Sequence, residues 1–128
     1  MSDQVPRELP PPFVILLGLS IREGESLSSG LDCSTGDVLR IVMPDDWDDA
    51  PLTFQLSIGI EGATYCDAFT LDGREVTLPM VVPKSMLIVP THVGEAIAWM
   101  RVRSGTSLDP VPQSAQRDFQ VVISPLGK

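Results

Sequence analysis

The chain is poor in the residues that most catalytic and metal-binding sites require. It has one histidine, two cysteines, two tryptophans, one tyrosine and four phenylalanines in 128 residues. The histidine, His92, sits in a Pro90-Thr91-His92 turn with no nucleophile-elbow motif anywhere in the chain, so no nucleophile, base and orienting group can be assembled from the sequence. Cys33 and Cys66 stand at no metal-ligand spacing and form no C-x-x-C pair, which leaves two free thiols as the main reading and a single disulfide as the lesser one. No glycine-rich phosphate loop and no paired acid-base motif is present. The reading is therefore a protein that is not an enzyme, with no catalytic residue, cofactor or metal assigned.

Basic charge is also scarce. Nine Lys and Arg stand against 17 Asp and Glu, a formal charge of −8, and such a field repels phosphate backbones and anionic lipid surfaces. Nucleic acid and membrane are thereby excluded as expected partners. The longest apolar run, Phe13 to Leu19, is too short to span a bilayer, and the first residues lack the basic start of a signal peptide, so synthesis in a reducing cytoplasm is expected.

What the chain does have is short alternating segments. Hydrophobic residues make up 43% and charged residues 20%, enough apolar surface for one folded domain of this length. Residues 1–12 carry Pro6, Pro10, Pro11 and Pro12, which remove backbone donors and favour polyproline conformation; they read as an extended arm before a single domain over 13–128. In Leu52 to Ile58 the apolar Leu52, Phe54, Leu56 and Ile58 alternate with Thr53, Gln55 and Ser57, the period-2 pattern of a half-buried strand. Further strands are predicted at Phe13–Ile21, Val38–Met43, Tyr65–Thr70, Glu75–Val82, Met86–Val89, Ala96–Arg103 and Phe119–Ser124, with a hairpin at Leu71-Asp72-Gly73-Arg74 and a loop or helical turn at Thr91–Ala96. Near Ala96–Arg103, Ala98, Met100 and Val102 form the apolar face and Ile97, Trp99, Arg101 and Arg103 the wet one. About eight short strands with no 3.6-residue period predict an all-β protein, an antiparallel two-sheet sandwich.

Two constellations invite a ligand. Asp45, Asp46, Asp48 and Asp49 flank Trp47 and could attract a calcium ion, although adjacent turn aspartates point apart and more often bond nearby backbone amides. Trp47, Tyr65 and Trp99 could form a flat platform for a sugar ring, against the plainer reading of each as a core plug. On that plainer reading Trp47 and Ala50 close one end of the sandwich. Gln113, Gln116 and Ser104-Gly105-Thr106 lie in a long polar connection that fits a binding loop and a plain crossover equally well.

The segments P-D-D-W-D-D-A-P-L-T-F-Q-L-S, L-D-G-R-E-V, A-W-M-R-V-R-S-G-T and P-V-P-Q-S-A-Q-R-D-F together resemble a family of small tailed-bacteriophage virion proteins over roughly residues 20–124. The family's commoner pattern is T-F-Q-x-S-x-D-G; the chain keeps T-F-Q-x-S at Thr53–Ser57 and departs after it, with Ile58-Gly59-Ile60-Glu61-Gly62. The W-x-x-A-x-L-T-F-Q-x-S stretch is also similar, over one strand and its turn, to discoidin-like jelly rolls. These resemblances imply a jelly-roll-like sandwich located in the virion as a head decoration or cement protein, or in a spike or fibre. They also imply a homo-oligomer contacting other phage structural proteins, with Pro6, Pro10, Pro11 and Pro12 of the arm lying along neighbours. The alternative is a carbohydrate-binding module for host-surface attachment through Trp47, Tyr65 and Trp99.

Overall fold

The computed structural model describes residues 14–59, 64–90 and 98–125. The arm with Pro6, Pro10, Pro11 and Pro12, the segment at Thr91–Ala96 and His92 lie outside the described residues. Among the described residues there are nine strands and no helix: β1 (Ile15–Ile21), β2 (Leu31–Asp32), β3 (Gly36–Val42), β4 (Leu52–Ser57), β5 (Cys66–Asp67), β6 (Thr77–Leu78), β7 (Met86–Ile88), β8 (Trp99–Ser104) and β9 (Arg117–Pro125).

All pairings are antiparallel, and they build two sheets. The first runs β1-β9-β3-β7 and the second β2-β8-β4-β5, with β6 also on β4. The chain therefore passes from one sheet to the other between β1 and β2, β2 and β3, and β3 and β4, and again on either side of β7 and β8. This interleaving of long crossings is the double Greek key of a jelly roll.

The core lies between the sheets. Leu19, Ile21, Val38, Ile41, Phe119, Val121 and Ile123 enter it from the first sheet, and Leu52, Phe54, Met100 and Val102 from the second. Each such side chain contributes about 1.5–3 kcal/mol by leaving water. The residues of β8 and β9 whose spacing predicts an inward position, Met100, Val102, Phe119, Val121 and Ile123, are all buried. Trp47 and Ala50 close one end as expected: the indole Nε1 donates to the Ala50 carbonyl at 3.0 Å and the ring meets Phe119 edge-on at 5.7 Å.

Three expectations are corrected, and one strand forms where none is predicted. Ile58, assigned to the core, is 84% exposed, because β4 ends at Ser57 and the chain turns at Gly59, whose amide donates to Ser57 Oγ. Leu31–Asp32 pairs with Trp99 and Met100 as a strand too short to show a period. The hairpin forms where predicted, with Gly73 at φ 85° and Thr70 N–H donating to Arg74 O, but its flanks are not neighbouring strands. β5 pairs with Leu56 and Gln55, β6 with Thr53 and Leu52, so the two are halves of one interrupted strand lying in line along β4, with residues 69–75 looped out between them. Arg103, placed on a wet edge, is only 6% exposed.

Candidate functional site

The outer face of the second sheet is built from the polar side of the β4 and β8 alternation. The register sets Ser57 beside Trp99, Gln55 beside Arg101 and Thr53 beside Arg103. At one end Arg103 is covered by its partners. Its guanidinium donates to Asp67 at 2.9 Å and Glu75 at 2.6 Å, and its Nε donates to Thr53 Oγ1 at 3.0 Å. Glu75 also accepts from the Ser107 amide and hydroxyl. The Arg103 bond, then that from Gln55, holds the Asp67 carboxyl below the usual aspartate range. This is a structural ion cluster with every charge partnered.

At the other end the face is aromatic. Tyr65 lies across it with its ring 4.0 Å from the guanidinium carbon of Arg101, and its hydroxyl reaches over to Gly30, whose missing side chain leaves the space it fills. Trp99 borders the same space: its ring would sit 3.5 Å from a Cβ at residue 30. Tyr65 and Trp99 are each half-buried. Arg101 donates weakly to Gln55 Oε1 at 3.5 Å, and its Nε is buried without a partner. Beside it a groove of about 490 Å³ runs along the 24–28 loop to Pro112.

Of the three aromatics predicted for a sugar platform, the fold thus unites Tyr65 and Trp99 and leaves Trp47 buried in the core. Arg101, Gln55 and Gly30 complete the group. The sequence shows Gln55, Trp99 and Arg101 on the polar side of alternating segments, but the grouping with Tyr65 depends on the β4–β8 register and on Gly30 lying opposite.

The acidic turn is divided by its contacts. Asp48 accepts from the Ser114 amide at 2.6 Å, the Ser114 hydroxyl at 3.0 Å and Arg117 Nη2 at 3.0 Å, and the Ser114 bonds are the main reason its carboxyl is held low. Asp45, Asp46 and Asp49 do not converge with it, and among the described residues no group of three His, Cys, Asp or Glu side chains is placed to hold a metal ion. Gln113, one of two glutamines in the long connection, is fully buried and uses its whole amide. Its Nε2 donates to Asp48 O at 3.1 Å and Ser104 Oγ at 2.8 Å, while Oε1 accepts from Asp48 N and Arg117 Nε. Gln116 stays exposed on Asp118. Cys33 is buried and Cys66 exposed, both as free thiols.

The outer face of the first sheet is different again. Leu16, Val122, Arg40 and Ile88 form one row across all four strands, and Gly18, Gln120, Val42 and Met86 the next. Leu16 is 54% exposed, Met86 59% and Ile88 67%. On the water side of an antiparallel sheet such positions are usually polar. Compared with protein-family models, with curated proteins and with solved structures, the chain has no match in any of the three.

Proposed function

We propose that this chain is a non-enzymatic structural protein of a tailed-phage virion, a head decoration or cement protein or a spike or fibre component that binds neighbouring capsid or tail proteins. The observation that supports it best is the apolar outer face of the first sheet, with Leu16, Met86 and Ile88 all more than half exposed on one surface. A monomer working alone in water gains nothing from such a face, whereas an assembly protein buries it. The jelly roll provides a rigid body, and the arm with Pro6, Pro10, Pro11 and Pro12 provides a segment that loses little entropy on docking along a neighbour. On this reading the protein is made in the host cytoplasm and works as a homo-oligomer in the particle. Replacing Ile88 and Met86 with Lys should leave the fold intact and remove the protein from purified particles; undiminished incorporation would sink this reading of the face.

A second reading, a carbohydrate-binding module for host attachment, is favoured by Tyr65 and Trp99 sharing the Gly30 space beside Arg101 and Gln55. Half-exposed rings next to donors and acceptors are what a pyranose needs. Screening the isolated protein on a glycan array separates the readings: a hit lost in both Tyr65→Ala and Trp99→Ala moves the assignment to the sugar, and a blank array leaves it with assembly.

A further inference from the structure

Among the described residues, three of the four lateral sheet edges are too short or too broken for another strand to build on. β7 has three residues and lies between Pro83 and Pro90, β2 has two, and the edge made by β5 and β6 is broken by the looped-out hairpin. Such short, proline-flanked or interrupted strands are how soluble β-proteins avoid unwanted pairing. β1 is neither short nor interrupted, and proline precedes it on one side only, at Pro12. It is seven residues long, pairs with β9 without a bulge from Ile15 to Ile21, has no described strand on its other side, and residues 14–21 include no charged side chain and no proline.

We infer that β1 is the subunit interface of a twofold dimer, in which β1 of one copy pairs antiparallel with β1 of a second copy about Gly18. The sequence V-I-L-L-G-L-S-I is self-complementary in that register. Ile15 meets Ile21 and Leu17 meets Leu19, so the core-facing residues of both copies stay on one side, and Leu16 meets Ser20 on the other. A shift of one residue would turn one copy's core-facing row outward, which selects the register. Ile15 and Leu17 are only half-buried in the single chain, while Leu19 and Ile21 are buried, and the partner's Leu19 and Ile21 would stand beside the underfilled end. The two first sheets then form one eight-stranded sheet, in which the Gly18 rows of the two copies join and each Leu16 row meets the partner's Ser20–Asp118 row.

A second copy fits this edge better than the chain's own arm, because Pro10, Pro11 and Pro12 have no N–H to give to a ladder. The uncharged strand also limits the repulsion between two bodies of charge −8, and added salt should tighten the dimer by screening what remains. The inference does not depend on the virion reading. An isolated-protein dimer measurement can fail while incorporation into particles succeeds, and the reverse.

Sedimentation equilibrium of the full chain tests it, with Gly18→Lys and Gly18→Thr. A Cβ at residue 18 would meet nothing within 4 Å and the position is exposed, so both variants should fold as the parent does, which near-UV circular dichroism verifies. In a dimer of the Gly18→Lys variant the two introduced ammonium groups would stand directly opposite each other, where like charges repel. The parent and Gly18→Thr should reach twice the 13.9 kDa chain mass, with amides of residues 15–21 exchanging more slowly as concentration rises. Gly18→Lys should raise the dissociation constant at least tenfold. A parent that stays at the single-chain mass at millimolar concentration overturns the inference, as does a dimer that both variants weaken equally or neither weakens.

Discussion

The hydroxyl of Tyr65 fills the space that a side chain at Gly30 would need, so the two residues are matched across the width of the second sheet. Gly30→Ala should therefore move Tyr65 off Arg101 without breaking the core, because the displaced atom is the tip of a side chain and not backbone. The expected result is an altered near-UV circular dichroism signal with a stability change within about 1 kcal/mol. An unchanged aromatic signal would show that Tyr65 does not lie across the sheet.

Gln113 makes four side-chain bonds, two of them to the Asp48 backbone in the Trp47 turn and one each to Ser104 Oγ and Arg117 Nε. In Gln113→Leu the Asp48 amide, the Ser104 hydroxyl and Arg117 Nε lose buried partners together. A loss of about 2–4 kcal/mol follows, read as a lower urea midpoint at unchanged slope. A loss under about 0.5 kcal/mol would mean that water replaces the amide without cost.

Stability should depend on pH through the partnered aspartates. Asp67, Asp48 and Asp118 have folded-state pKa values below their unfolded ones, the first through Arg103, the second chiefly through Ser114, the third through Gln116 and then Ser20. A depressed carboxyl stabilises above its unfolded pKa, about 4, and that contribution is lost as pH falls through the folded value. The melting temperature should thus be insensitive to these three groups between pH 7 and 5 and fall below about pH 4. Asp67→Asn should melt lower than the parent at pH 7, with the gap narrowing in acid; a gap independent of pH would contradict the ion-cluster account.

The thiols should separate cleanly. Burial, with a smaller push from the Asp32 charge, raises the Cys33 thiol to about 12, while Cys66 is exposed. At pH 8 a thiol reagent should label Cys66 alone in the native protein and both cysteines in denaturant. Native labelling of Cys33 would mean that the sheets open readily near β2.

Much of the fold was legible because period-2 alternation reports directly on a two-sided sheet. Phe119, Val121 and Ile123, and Met100 with Val102, could be assigned inward from spacing alone, and Gly73 marked its turn. What pattern could not convey was register and interruption. Nothing in Tyr65–Val82 distinguishes a hairpin from one strand broken by a looped-out turn, because both use the same Asp-Gly signal. Thr53 and Arg103 read as wet because alternation cannot foresee that Arg103 lies over Thr53 and meets Asp67 and Glu75, residues from three other segments. Trp47 was readable both as a plug and as a platform, and only its contact with Phe119 decides for the plug. The grouping of Tyr65, Trp99, Arg101 and Gln55 likewise needs the β4–β8 pairing and the gap at Gly30.

The central claim, a structural protein of a virion, is tested most directly by mass spectrometry of particles produced from the genome that encodes the chain, purified by density and washed in high salt. The account predicts peptides of this chain at a constant ratio to the major capsid or tail protein across preparations. Absence of the chain from washed particles, with the folded protein left free in the lysate, would contradict it.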